Sequence, residues 1–70
     1  MNFYDDDDNL FATCMDNRHI IKVCGSFYGF IEGNDIISED GDFIGSFNRD
    51  RHGICVISEY GDMLFYVRRP

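Results

Sequence analysis

Short apolar runs alternate with polar clusters along the chain, and each cluster between runs holds a glycine or an asparagine. Within the runs the residues are Ile, Val, Phe and Tyr, types that suit a pleated, half-buried surface. No stretch keeps the i, i+3, i+4, i+7 spacing of an amphipathic helix over a helical length. The pattern predicts seven short strands, at about 10–15, 19–24, 27–32, 35–39, 42–48, 53–59 and 62–68. Asp40-Gly41, Gly33-Asn34 and Tyr60-Gly61 are hairpin signals, because a tight turn needs positive φ and glycine supplies it without a Cβ clash. Gly25-Ser26, Asp16–Arg18 and Arg49–His52 fill the other gaps. Residues 1–9 read as an extended or disordered acidic arm, with a short helix over 8–15 as the alternative. Residues 10–70 read as one β domain.

The chain also repeats itself. Ile37-Ser38-Glu39-Asp40-Gly41-Asp42 returns as Ile57-Ser58-Glu59-Tyr60-Gly61-Asp62. Upstream, the stretch from Ile20 to Ile31 aligns with the stretch from Ile36 to Phe47, each with G-x-F-x-G after a β-branched pair. The repeating unit is strand, glycine-centred turn, strand, so the expected fold is all-β: an antiparallel meander of about six to seven strands.

Simple alternation puts Phe27, Gly29 and Ile31 on one face with Phe43, Gly45, Phe47, Met63, Phe65 and Val67. Tyr28, Phe30, Ile44, Leu64 and Tyr66 then fall on the other, which is too apolar to leave wet. Two arrangements resolve this. The favoured one coils the sheet strongly at Gly29 and Gly45 and rolls it into a small barrel or sandwich. Alternatively, Tyr28, Phe30, Tyr60 and Tyr66 form an interface for a partner or a second copy in a homodimer.

Composition narrows the function classes. Seventy residues make one domain, with 44% apolar residues and 16% aromatics, dense enough to argue against disorder. No apolar run reaches the ~20 residues of a membrane-spanning helix, and no targeting segment is visible. Cys14, Cys24 and Cys55 are not the even, dense set of a secreted disulfide scaffold, so reduced thiols in a cytoplasm are expected, with Cys24 and Cys55 in the core. A zinc site drawn from Cys14, His19, Cys24, His52 and Cys55 lacks C-x2-C spacing. Asp5, Asp7, Asn9 and Asp16 match EF-hand positions, but Leu10 stands where the loop needs glycine. Phosphate-loop, dinucleotide, zinc-protease and nucleophile-elbow motifs are absent. The chain reads as a non-enzyme that needs no metal or cofactor.

Charge points to a partner. Thirteen acidic and six basic residues give a net charge of −7. In a meander, alternate turns share an end. One end should therefore collect Asp5, Asp6, Asp7, Asp8, Glu39, Asp40, Asp42, Glu59 and Asp62 with only Lys22 nearby. The other should hold Asp16, Glu32, Asp35 and Asp50 against Arg18, Arg49, Arg51, Arg68 and Arg69. Asp and Gly are ordinary turn residues, but a run such as Asp5–Asp8 is typical of interaction segments. Like charge held at one pole destabilises a small domain and suits a basic partner. Direct nucleic-acid binding is disfavoured by sign, leaving aromatics and the arginines as a minor single-strand alternative.

A short, acidic, one-domain chain without enzymatic motifs resembles the small inhibitor proteins made by phages, the anti-CRISPR and anti-restriction proteins, some of which mimic DNA. That resemblance implies a viral inhibitor working in the host cytoplasm, binding a basic nucleic-acid-binding protein through its acidic residues and blocking nucleic-acid access. The G-x-F-x-G and D-G-x-x-I-G pieces resemble bacterial β-hairpin repeat proteins, which bears on fold.

Overall fold

The computed structural model describes residues 1–69; Pro70 lies outside them. Eight antiparallel strands follow one another around a closed barrel: β1 (Asn2–Tyr4), β2 (Leu10–Cys14), β3 (His19–Lys22), β4 (Phe27–Glu32), β5 (Asp35–Ile37), β6 (Phe43–Asp50), β7 (Gly53–Ile57) and β8 (Met63–Arg68). The all-β meander and its rolling into a barrel are as the sequence predicts, and seven of the strands lie where it places them. The eighth corrects the acidic arm. Asn2–Tyr4 pairs with β2 on one side and with β8 on the other, at Asn2↔Arg68, Phe3↔Val67 and Tyr4↔Tyr66. Only Asp5–Asn9 remains between strands, and no helix forms over 8–15.

The barrel is four copies of one hairpin, β1–β2, β3–β4, β5–β6 and β7–β8. Each is joined by the same five-residue turn: Asp5–Asn9, Lys22–Ser26, Ser38–Asp42 and Ser58–Asp62. In every copy the first residue's N–H donates to the fifth residue's carbonyl, at 2.7–2.9 Å, and the fourth residue's N–H donates to the first residue's carbonyl, at 2.8–3.0 Å. The fourth residue has positive φ: Asp8 66°, Gly25 94°, Gly41 90° and Gly61 86°. This is a type I turn closed by a left-handed residue, the usual three-residue hairpin loop rather than the two-residue loop the dipeptides suggest. It shortens the strands on either side. Asp8 fills the glycine position because aspartate tolerates that conformation better than most residues. The first copy therefore hides in the sequence behind an acidic run.

Beside each of these turns the strand register slips by one residue. The extra residue is Phe11, Tyr28, Ile44 or Leu64, and all four pack against the core instead of facing out. A bulge of this kind re-aims a side chain and bends the strand, so simple alternation fails beside each turn. Tyr28 and Gly29 both lie inward. Tyr28 sits edge-on to Phe11 at 5.1 Å between ring centroids and to Phe65 at 5.8 Å. Phe11 stacks on Phe65 at 4.7 Å.

The interior is built in tiers of four. Phe3, Ile20, Ile36 and Val56, one per hairpin, are at most 1% exposed. Across the hairpin they face Ala12, Gly29, Gly45 and Phe65. Phe11, Tyr28, Ile44 and Leu64 lie toward the turns, and Cys14, Ile31, Phe47 and Val67 lie toward the opposite end. Between hairpins the register moves on by two residues each time: Phe3 faces Ala12 but Ile20 faces Cys14, and Val56 faces Phe65 but Phe3 faces Val67. That constant stagger brings the eighth strand back to the first.

Two substitutions test this packing. Phe3→Ala should cost about 3–5 kcal/mol of unfolding free energy in urea, the range for a buried phenylalanine; an arm outside the fold would show no change. A methyl on Gly45 would meet the Ile57 carbonyl oxygen at 2.8 Å and Val56 Cγ1 at 2.9 Å, neither of which can yield cheaply. Gly45→Ala should therefore lower stability by about 1–3 kcal/mol.

Candidate interaction surface

The four equivalent turns hang from one end of the barrel, because alternate connections of an up-and-down meander share an end. Three of them are shaped by the side chain of their first residue, Asp5, Ser38 or Ser58, while the turn that starts at Lys22 is closed by its backbone bonds. Asp5 Oδ1 accepts from the N–H groups of Asp7 (3.0 Å) and Asn9 (2.9 Å). Ser38 Oγ accepts from Asp42 N–H at 3.0 Å, and Ser58 Oγ from Tyr60 and Asp62 N–H at 3.2 Å. The remaining carboxylates of these turns are left to point outward, and Asp6, Asp7, Asp8, Glu39, Asp40, Asp42, Glu59 and Asp62 are all exposed. Asp5, Asp6 and Asp7 bring carboxylate oxygens within 4.8 Å of one another. Among the described residues, no base forms an ion pair with Glu39, Asp40, Asp42, Glu59 or Asp62.

The single-pole expectation needs one correction. Asp6 and Asp8 lean over the outer wall of the barrel, lining a groove of about 730 Å³ with Asp50, His52 and Arg68, residues expected at the far end. Strand stagger is the cause. Tyr4, the last residue of β1, lies level with Tyr66 and, through it, with Cys55 and Asn48. The first turn therefore overhangs the middle of β8 and β7. Asp8 Oδ1 accepts from the Arg68 guanidinium at 3.2 Å, and that guanidinium lies 5.0 Å from the centre of the Tyr4 ring. The groove also takes in Ile57, Met63 and the half-exposed Tyr66.

The proposed aromatic interface is not one surface. Tyr28 belongs to the core, and burial raises its phenol pKa. Tyr60 is at a turn tip, 83% exposed, and Tyr66 is in the groove. Phe30 does face outward, on another wall, where it is covered by its own neighbours. His19 lies 5.4 Å from it, Phe27 4.8 Å, and the Arg18 guanidinium 5.5 Å.

The cysteine and histidine set drawn for zinc is dispersed as well; among the described residues, the one group of possible ligands brought together is Asp5, Asp6 and Asp7. All three thiols are free. Cys24, expected in the core, is exposed at the tip of the second turn. Its thiol pKa is lowered by Ser26, whose hydroxyl lies 3.3 Å away. Cys14 is buried instead, and burial with the nearby Asp16 carboxylate raises its pKa. Cys55 is buried on the groove side.

No family model, curated protein or solved structure matches the chain. No helix long and apolar enough to cross a membrane is present among the described residues.

At the opposite end, Asp16 organises the β2–β3 connection. Its Oδ1 accepts from the N–H groups of Arg18 (2.9 Å) and His19 (2.8 Å), and its Oδ2 meets His19 Nδ1 at 2.6 Å. The backbone bond from His19, then its side chain, then the Arg18 N–H hold the Asp16 carboxyl well below its ordinary value of 3.8. A depressed folded-state value means that the contribution is complete above about pH 4 and is lost as pH falls through the folded value. Wild-type protein should therefore be more stable than Asp16→Ala at pH 7, with the gap closing in strong acid. Urea midpoints of both proteins between pH 7 and pH 2 check this, and parallel curves would count against it.

Proposed function

We propose that the protein is a non-enzymatic inhibitor that binds a basic nucleic-acid-binding protein, such as a CRISPR effector or a restriction complex, and blocks nucleic-acid access. The observation that carries this reading is the set of five carboxylates on the third and fourth turns, Glu39, Asp40, Asp42, Glu59 and Asp62, which form no ion pair among the described residues and lie at the same end as the Asp5–Asn9 turn. The third and fourth turns close neighbouring hairpins, so their carboxylates present one acidic surface to Lys and Arg side chains of the kind that contact phosphates. Barrel closure supports the same mode. Every strand is paired on both sides, so a partner meets side chains and turns rather than adding a strand to an open edge.

Attraction of this kind steers encounter and weakens as salt screens it, the Debye length being about 10 Å at 0.1 M. Protamine, an arginine-rich DNA-binding protein, serves as the probe. The protein should displace labelled duplex DNA from protamine at low salt and fail to do so at high salt. The charge reversal Asp40→Lys with Asp42→Lys should abolish the displacement while the barrel stays folded by circular dichroism. Equal displacement by the double variant would remove the third turn as the contact.

A further inference from the structure

The groove beside the first turn differs in kind from the turn tips, because it combines carboxylates with apolar surface. Asp6, Asp8 and Asp50 stand around it, while Ile57, Met63 and Tyr66 offer hydrocarbon and ring surface. Ile57 and Met63 are cross-strand partners in the last register pair of β7 and β8, so their side chains share the outer wall. Acid beside hydrocarbon is the complement of one kind of group, a cation on an aliphatic stem. Lysine and arginine bury their methylenes against apolar surface while the charged head reaches polar partners.

The chain's own Arg68 shows how this wall takes a guanidinium, with a carboxylate oxygen at 3.2 Å and a phenol ring at 5.0 Å. That contact leaves Asp6 and Asp50 over. Asp50 Oδ1 accepts from His52 N–H at 2.7 Å, which fixes the orientation of the carboxylate without neutralising its charge. Three carboxylates against one arginine leave the groove negative. On the wall of β3 and β4, by contrast, His19 and Arg18 already cover Phe30.

We propose that this groove seats an arginine or lysine side chain of the basic protein partner, its stem against Met63, Ile57 and Tyr66 and its charge between Asp6 and Asp50. The inference rests on the acidic-surface reading above and adds a specific anchor to it. Burying aliphatic stem and aromatic ring at the contact gives it the desolvated centre that turn-tip carboxylates lack.

Nitrogen-15-labelled full-length protein titrated with hexaarginine at low salt tests the proposal. Amide shifts should concentrate at Asp6, Asp50, Cys55 and Tyr66. Asp6→Asn with Asp50→Asn should weaken binding about tenfold, the equivalent of about 1.4 kcal/mol. Glu39→Gln with Asp40→Asn removes the same charge from the third turn and should weaken it by less than about twofold. Tyr66→Ala, which changes no charge, should also weaken binding. Equal losses from the two charge pairs, or no effect of Tyr66→Ala, would overturn the groove as the anchor and leave the protamine result to stand or fall by itself. Tight hexaarginine binding centred on Glu39–Asp42 would likewise overturn it.

Discussion

The pairing of Asn2–Tyr4 with both Leu10–Cys14 and Met63–Arg68 is the contact on which the rest of the molecule depends. Three residues supply little ladder hydrogen bonding, so the strand is held by what Phe3 buries. Its ring lies 6.2 Å from those of Phe47 and Phe65, and it is the largest fully buried side chain among the described residues. Without that pairing β8 would present an open edge, and the sheet could uncoil and wet the inner wall. A chain this small has little margin for such a loss, since it buries only about 60% of its unfolded surface.

Closure also needs curvature, which the four bulges provide. Phe11, Tyr28, Ile44 and Leu64 each add one residue beside a turn, bending the strand and swinging an apolar side chain inward to pack the turn end of the barrel. Small residues opposite the central tier make room. Gly29 and Gly45 lie under backbone carbonyls where a Cβ would stand at 2.8 Å. The second apolar face seen in the sequence is thus divided between the core and separate parts of the outer wall, and the supposed aromatic interface dissolves with it.

Electrostatically the molecule is uneven in a way set by the same stagger. Among the described residues, carboxylates of the third and fourth turns have no basic neighbour in an ion pair. The first turn is drawn back along the wall and partly balanced by Arg68. Acidic surface therefore comes in two textures, loose turn tips and a groove with hydrocarbon beside it. Turn tips favour fast, salt-sensitive encounter, and a groove favours a held side chain.

The sequence by itself determined the all-β meander, seven of the eight strands and the ends at which the later turns lie. These follow from local physics: β-branched and aromatic runs, glycine where φ must be positive, and the strict alternation of ends in an antiparallel ribbon. The repeat at Ile37–Asp62 was legible for the same reason. Its first copy was not, although Phe3, Asp8 and Ala12 occupy the places of Ile20, Gly25 and Gly29, because aspartate replaces the glycine that marks a turn. Bulge positions, the inward turn of Tyr28, the exposure of Cys24 and the meeting of Asp6 and Asp8 with Asp50 and Arg68 were decided only in three dimensions. The first three follow from the three-residue loop and bulge that each hairpin adopts, whereas the meeting of the first turn with Asp50 and Arg68 depends on register between strands distant in sequence, settled by how eight staggered strands close.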